Sequence, residues 1–201
     1  MSSGEISPFS PLQNYKLKAY PFSPNPPGHL SDWEKHVLEF LSAVKAATYF
    51  QLCDHTRQKK KLNAMSRAGL VHKYQLQGQR NINVVSSVGF DNLDRLLRTL
   101  VFTQLVLKLK PKDILPGSNH IHAHIVLNNV FPVLVLRHGD DPGMVPFITN
   151  RLERVIILSE TFYPEFNKIK TPCRICLDQD LLKDELTFYY PDGRRDAVAR
   201  S

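Results

Sequence analysis

The chain has 201 residues, enough for one medium-sized domain or two small ones, and its 42% apolar and 22% charged content is ordinary for a globular protein. The longest apolar run, residues 125–136, is broken by two asparagines and a proline, so no segment reaches the roughly 18 apolar residues that span a bilayer. The net charge is +7, the three cysteines cannot all pair within one chain, and a secretory leader is not recognisable. We therefore expect an intracellular, cytoplasmic protein without a membrane partner.

The first 28 residues are rich in proline, with six of the 14 prolines of the chain among serine, asparagine and glycine. Proline removes a backbone donor and restricts the residue before it, so regular structure is disfavoured here. This composition predicts a flexible, extended arm over residues 1–28.

Three helices are predicted between residues 31 and 67. Ser31 is a good N-cap, Glu34 completes a capping box, and apolar residues then recur at helical spacing up to Val44. Residues 46–52 predict a short second helix with Thr48 as its N-cap. The third helix is predicted over residues 57–67, capped by Thr56 and closed by Ala-Gly-Leu.

A hairpin is predicted next, because the apolar spacing changes to strand alternation over residues 71–76. Residues 78–81 form the turn, and residues 82–85 form the returning strand. Three helices followed by a hairpin, in under 60 residues, is the plan of a winged helix-turn-helix. We assign this domain to residues 29–88.

The remainder, residues 89–201, opens with a predicted helix over residues 91–109 that carries a broad leucine-rich face. Residues 113–119 are predicted as a loop, and strands then alternate with short helices. The strands are expected at 120–126, 130–137, 154–159, 174–177 and 186–190, and the last residues, 191–201, as a frayed tail. This pattern predicts a small α/β domain for dimerisation or partner binding, so the whole chain belongs to the α+β class.

The positive charge is concentrated in one segment. Between His55 and Phe90 the sequence contains no Asp or Glu, yet it carries seven basic residues, equal to the net charge of the whole chain. A field of one sign on one segment attracts polyanions, whereas a merely solvated helix face usually mixes both signs.

Residues 57–71, Arg-Gln-Lys-Lys-Lys-Leu-Asn-Ala-Met-Ser-Arg-Ala-Gly-Leu-Val, followed by the hairpin, resemble the recognition helix and wing of winged-helix DNA-binding proteins. The resemblance covers about residues 31–86. It implies that the third helix enters the major groove and that the wing contacts the flanking backbone or minor groove.

The residue types suit these roles. Gln58 and Asn63 can pair with adenine and Arg57 with guanine, whereas three successive lysines would mainly contact phosphates. Arg80 lies at the predicted wing tip, with Lys73 beside it. The predicted DNA-binding residues are Arg57, Gln58, Lys59, Lys60, Lys61, Asn63, Arg67, Lys73 and Arg80.

The arrangement also resembles the replication-relaxation type of protein from plasmids and conjugative elements, which pair an N-terminal winged helix with an α/β domain related to nuclease folds. That resemblance leaves a metal-dependent nuclease open as an alternative. Its candidate carboxylates are Asp140, Asp141 and Glu160, but residues 165–168 do not place a carboxylate and a lysine on one strand face. We therefore predict no catalytic residues and no enzyme activity.

Two further patterns have metal-ligand spacing. His120, His122 and His124 alternate along a predicted strand, with His138 nearby, and Cys173 and Cys176 form a Cys-x-x-Cys. The histidines lack a clear fourth ligand and the cysteines lack a second pair. An exposed polar strand face and ordinary packing are favoured, so we predict no metal and no cofactor.

Together these features predict a sequence-specific, double-stranded DNA-binding protein. The expected role is a transcriptional regulator, or an accessory factor in replication or transfer of a plasmid or other mobile element, located with the nucleoid. A homodimer is expected, with residues 91–109 as its seam. The alternatives are the nuclease and an adaptor whose winged helix binds another protein.

Overall fold

The computed structural model describes residues 6–25 and 28–196, which form a mixed α+β structure of two compact units. Among the described residues, the N-terminal unit is residues 13–25 and 28–103, and the C-terminal unit combines residues 6–12 with residues 104–196. These bounds differ from the predicted ones, because part of the predicted arm pairs with the hairpin and residues 6–12 belong to the same unit as residues 104–196. Of the predicted arm, residues 1–5, 26 and 27 lie outside the described residues, as do residues 197–201 of the predicted tail. The rest of that tail, residues 191–196, is not frayed, because Arg195 forms a bridge with Tyr189 and the Asp196 backbone donates to the Phe188 carbonyl.

The N-terminal unit alternates short strands with helices. Helix α4 begins in this unit and ends in the C-terminal unit. The elements are β1 (Lys16–Ala19), α1 (Asp32–Val44), β2 (Ala46–Thr48), α2 (Tyr49–Leu52), α3 (Thr56–Arg67), β3 (His72–Gln77), β4 (Ile82–Ser86) and α4 (Leu93–Leu109).

The four strands of this unit make one antiparallel sheet in the order β1-β3-β4-β2. Strands β3 and β4 form the predicted hairpin, with Leu76 opposite Ile82. Strand β1 adds to the free edge of β3, with Lys16 opposite Gln77, so these arm residues are ordered by the ladder. The predicted second helix is shorter than expected, since residues 46–48 pair with β4 instead.

The core of the N-terminal unit lies between the helices and the hairpin. Ser31 caps α1, with Glu34 accepting from the Ser31 backbone at 2.8 Å, and Thr48 caps α2 by accepting from the backbone of Gln51 at 3.2 Å. These caps satisfy donors that a helix leaves unpaired. The buried apolar residues that meet in this core are Val37, Leu41, Ala47, Tyr49, Cys53, Leu62, Met65, Val71 and Val85.

The C-terminal unit is built on a second, mixed sheet of five strands in the order β5-β6-β7-β8-β9. The first three strands are antiparallel, and β7, β8 and β9 are parallel. The elements are β5 (Asp113–Pro116), β6 (Ala123–Val126), β7 (Val130–Leu136), α5 (Val145–Thr149), β8 (Val155–Ser159), β9 (Cys173–Leu177) and α6 (Asp178–Leu181).

Three local predictions for this unit need correction. The predicted loop at residues 113–119 contains strand β5, which is ordered by pairing with β6. One of the predicted short helices, at residues 163–170, is a 3-10 helix, Pro164–Lys168. The predicted strand at residues 186–190 is reduced to isolated bridges of Tyr189 with Ile175 and with Arg195.

The apolar face of α4 is buried inside the chain. Leu96, Leu100, Val101 and Leu105 are completely buried, as expected for a core helix rather than for an exposed seam. The prediction that this face forms a dimer seam is therefore replaced by a role in the core, and the homodimer itself stays a prediction. Among the described residues, no helix combines the length and the apolar character needed to cross a membrane.

Candidate nucleic-acid interface

Helix α3 separates a buried face from a basic one. Leu62 and Met65 are buried in the core of the N-terminal unit, and the opposite side carries Arg57, Lys60 and Arg67, all exposed. The spacing of three and seven residues places these cations on one side of a helix. They form a stripe along the outer face of α3.

The centre of this stripe is a small side chain, the exposed Ala64. It lies four residues after Lys60 and three before Arg67, so it shares their face. Among the described residues, the side chains of Arg57, Lys60 and Arg67 form no ion pair with a carboxylate. The outer face of α3 therefore carries positive charge that no carboxylate in the described part of the chain neutralises, around a side chain small enough to let another molecule come close to the helix.

Gln58 does not point its amide oxygen outwards. Its Oε1 accepts hydrogen bonds from the backbone of Asp54 at 2.8 Å and of His55 at 3.1 Å, just before α3 begins. The helix begins at Thr56, one residue earlier than predicted, with His55 as the N-cap residue. The carbonyl oxygen of Gln58 is thus engaged in holding the start of the helix.

Lys61 connects α3 to the start of α1. Its ammonium donates to Ser31 Oγ at 2.8 Å and lies 5.8 Å from the centre of the Trp33 ring. The Ser31 hydroxyl in turn donates to Glu34 at 2.6 Å, and these Ser31 hydrogen bonds, followed by the charge of Lys61, lower the pKa of Glu34. Lys61 has a packing role inside the N-terminal unit.

Asn63 and Lys73 join α3 to the hairpin. The Oδ1 atom of Asn63 accepts from Lys73 Nζ at 2.7 Å and from the Tyr49 hydroxyl at 3.1 Å. A carbonyl oxygen has two lone pairs, so both acceptor sites of this amide are used. Burial raises the pKa of Tyr49 to about 12, which keeps the hydroxyl protonated as a donor.

A groove of about 600 Å³ runs between α3 and the segment that follows β1. The Tyr20 ring forms part of its wall, with Lys73 Nζ 4.8 Å and Lys18 Nζ 5.3 Å from the ring centre. A cation that lies over the face of an aromatic ring is attracted to the ring electrostatically. The residues lining the groove are Tyr20, Pro21, Lys60, Asn63, Ser66, Arg67 and Lys73.

The segment after β1 also passes close to the end of α3. Gly69 has a φ of +69°, and a β-carbon there would lie 1.8 Å from the carbonyl oxygen of Ser23. Only glycine fits, because both the left-handed backbone and the close approach exclude a side chain. Gly69 thus closes the helix as predicted and also admits the N-terminal segment.

Strand β1 adds two exposed lysines, Lys16 and Lys18, which the sequence prediction did not include. The alternation of Lys16, Leu17 and Lys18 has strand spacing, but this signal is weak because the strand has only four residues. Lys59 on α3 and Arg80 in the turn between β3 and β4 are exposed, as expected for backbone contacts. The exposed positive charge therefore includes the arm as well as the helix and the turn.

The candidate nuclease carboxylates lie at one edge of the second sheet but are engaged by protein groups. Asp140 accepts from the Arg137 backbone at 2.7 Å, and Asp141 accepts from the Gly143 backbone at 2.8 Å. Glu160 accepts from the backbone of His138 at 2.8 Å and also from the Ser10 hydroxyl.

A buried ion pair lies at the same edge. Arg137 is completely buried and makes two hydrogen bonds to Asp178, at 2.6 and 2.9 Å, and its Nη1 is 4.0 Å from Glu160. These residues follow β7, β9 and β8, so the carboxyl ends of the parallel strands bring them together. Positive charge from Arg137 balances the carboxylates here, as a buried ionic group requires.

The two metal-like patterns are not assembled into sites. His120 and His122 precede β6, which leaves only His124 on the strand, and its Nδ1 donates a hydrogen bond to the Pro116 carbonyl oxygen at 3.1 Å. Cys173 and Cys176 are buried on β9, and burial raises the pKa of Cys173 to about 12. Within residues 6–25 and 28–196, no group of three or more potential ligands could hold a metal ion.

Comparison with known proteins returned no matching family model, no similar curated protein and no similar solved structure.

Proposed function

We propose that this protein binds double-stranded DNA through the N-terminal unit, with α3 in the major groove and the β3–β4 turn on the flanking backbone. The observation that carries the proposal is the exposed stripe of Arg57, Lys60 and Arg67 around Ala64, none of which contributes to the core. A duplex presents closely spaced negative charges, and cations that displace its counterions supply most of the non-specific affinity.

The dimensions of α3 support this placement. Its 12 residues extend about 18 Å, and the major groove, about 12 Å wide, accepts one α-helix. Ala64 at the centre of the stripe lets the helix approach the base edges and offers a methyl group for contact with thymine. The order of helices, hairpin and basic stripe favours the winged helix-turn-helix type over a flat basic surface.

The hydrogen bonds divide the predicted DNA-binding residues by role. Lys61 and Lys73 are engaged within the unit, and the amide oxygens of Gln58 and Asn63 already accept two hydrogen bonds each. A bidentate contact with adenine needs such an oxygen, so Gln58 and Asn63 would have to exchange these partners to read adenine. Direct base reading is therefore assigned first to Arg57, with backbone contacts from Lys59, Lys60, Arg67 and Arg80.

In this proposal the C-terminal unit determines what the DNA-bound protein interacts with. A transcriptional regulator, or an accessory factor in replication or transfer of a mobile element, would use that unit for a partner or for a second copy of the chain. A winged-helix adaptor is the alternative, and it requires no affinity for DNA.

The test is fluorescence anisotropy with a labelled mixed-sequence duplex of about 25 base pairs, comparing the wild-type chain with Ala64→Glu. Ala64 is exposed, so the substitution leaves the core intact while placing a negative charge at the centre of the stripe. We expect the affinity to fall at least tenfold. The matched control Gln179→Glu, at an exposed position of α6, adds the same charge and should bind as wild type.

Equal affinities of the Ala64→Glu and Gln179→Glu variants would contradict the placement of α3 in the groove. Absence of salt-dependent affinity in the wild-type chain would refute DNA binding and favour the adaptor.

A further inference from the structure

The C-terminal unit contains a second concave site, away from the carboxyl ends of the parallel strands. It has a volume of about 910 Å³ and opens at the starts of β8 and β9, beside the end of α4 and the turn between β6 and β7. This volume lies in the range of small-molecule sites. We refer to it as the amino-edge groove, and it is formed entirely by residues 108–196.

The rim of this groove is strongly basic. Five cations line it, against two carboxylates, Glu153 and Asp196. Asp196 forms an ion pair with Arg174 and accepts from the Tyr190 hydroxyl at 3.3 Å, so its charge is balanced within the protein. The lining cations are Lys108, Lys110, Lys112, Arg154 and Arg174.

Three of these cations have no carboxylate partner within the described part of the chain: Lys110, Lys112 and Arg154. Lys108 instead donates to backbone carbonyls, at 2.5 Å from Lys183 and 3.3 Å from Asp184. Lys110 and Lys112 are both exposed and are two residues apart where the chain leaves α4. An anion placed at this rim would meet uncompensated positive charge.

The floor of the groove is apolar and partly aromatic. Val155 and Ile156 are buried beneath it, and Phe131 and Phe188 are half-buried in its lining. The guanidinium of Arg154 lies 5.6 Å from the centre of the Phe131 ring. Aromatic rings and guanidinium planes are the surfaces on which nucleic-acid bases stack.

We propose that the amino-edge groove binds a nucleoside phosphate, with the base against Phe131 and Arg154 and the phosphates at Lys110 and Lys112. An aromatic, apolar floor beside a rim of unpaired cations is complementary to a flat ring joined to a polyanion. A purely apolar ligand would leave the rim charges unused, and an inorganic anion would leave the floor exposed to water. The ligand class therefore combines both chemistries in one small molecule.

Isothermal titration calorimetry on the full chain tests this, with ATP, GTP, CTP and UTP as probes and inorganic tripolyphosphate and the matching nucleosides as separate arms. We expect at least one nucleotide to bind at least tenfold more tightly than tripolyphosphate and than its own nucleoside. Equal affinity for tripolyphosphate and every nucleotide would reduce the site to non-specific anion binding and overturn the proposal, as would absence of binding.

Two variants then locate the ligand. Lys110→Gln combined with Lys112→Gln should weaken nucleotide binding at least tenfold, and Phe131→Leu, which keeps an apolar floor, should remove most of the preference over tripolyphosphate. Retention of wild-type nucleotide affinity in the lysine double variant would refute the site. That double variant is made at exposed positions, so it gives a decisive result even if Phe131→Leu fails to fold.

Nucleotide binding at the amino-edge groove is independent of DNA binding by α3. Lys60→Gln combined with Arg67→Gln should leave nucleotide affinity unchanged, and Lys110→Gln combined with Lys112→Gln should leave duplex affinity unchanged. Loss of nucleotide binding in the α3 variant would show that the probe binds the α3 stripe and would overturn the amino-edge assignment. Preference for a single-stranded oligonucleotide over every mononucleotide would also overturn it in favour of a strand-binding groove.

Discussion

Neutralising the stripe on α3 should change how duplex affinity depends on salt. The triple variant Arg57→Gln, Lys60→Gln, Arg67→Gln removes three exposed cations that touch neither the core nor a carboxylate. Lys60 and Arg67 are the phosphate contacts in this triple, and each contributes about −0.9 to the slope of log K against log salt, so together they contribute about −1.8. Between 50 and 200 mM salt, the wild-type affinity should therefore fall about 12-fold more than that of the variant.

The three substituted cations are chosen because, among the described residues, their side chains make no hydrogen bonds that hold the N-terminal unit together. Lys61 and Lys73 are left unchanged, because they bond to Ser31 and Asn63 and their loss would disturb folding. Exposed substitutions of this kind usually change stability by about 0.5 kcal/mol or less each. Circular dichroism should therefore show the same fold and a similar Tm.

The assay is a titration of labelled duplex by anisotropy at four salt concentrations. A charge-matched control, Arg151→Gln, Lys168→Gln, Lys170→Gln, removes three exposed cations from the C-terminal unit. We expect the control to keep the wild-type slope. A slope that falls equally in both triple variants would mean that net charge alone determines binding, and the reasoning about α3 would be refuted.

Two further predictions concern the C-terminal unit. Asp178→Asn should lower the free energy of unfolding by about 3–5 kcal/mol, because it leaves Arg137 buried with its main partner neutralised. The double variant Arg137→Met with Asp178→Leu removes both charges and should lower it much less. Similar urea midpoints for the two variants would contradict this account. Burial raises the pKa of the Cys173 and Cys176 thiols, so both stay protonated in the folded chain, whereas the thiols of the unfolded chain ionise above about pH 8.5. The stability that these thiols contribute is therefore fully present below that pH, and above it the free energy of unfolding should fall by about 1.4 kcal/mol per pH unit for each thiol. In urea melts at about pH 7 and 9.5, Cys173→Ala with Cys176→Ala should show a smaller fall than the wild-type chain.

Local signals predicted the helices of the N-terminal unit well. The Ser31–Glu34 capping box, the cap at Thr48 and the closure at Gly69 depend on neighbours a few residues away, and all three are present. Strand alternation likewise predicted the β3–β4 hairpin, because its turn joins adjacent segments. The sequence also located the exposed cations of α3, since they lie opposite Leu62 and Met65.

Long-range pairing accounts for what the sequence did not show. Strand β1 is ordered by β3, more than 50 residues later, and proline content alone indicated a flexible arm. The engagement of Asn63 by Lys73 and Tyr49 requires three elements to meet, so composition could not separate a base-reading amide from a packed one. The leucine-rich face of α4 was equally ambiguous, because a core helix and a dimer seam have the same spacing.

The division of the C-terminal unit between the two ends of the chain has a consequence for synthesis. The Ser10 hydroxyl bonds to Glu160, 150 residues later, and Phe9 beside it is completely buried in the finished unit. At about 5–20 residues per second, a ribosome needs about 8–30 s to supply that partner. Residues 13–103 hold all four strands of their own sheet and can form it earlier. We therefore expect the nascent chain to expose the Phe9 side chain until the last strands of the C-terminal unit emerge, a window in which a chaperone can bind it.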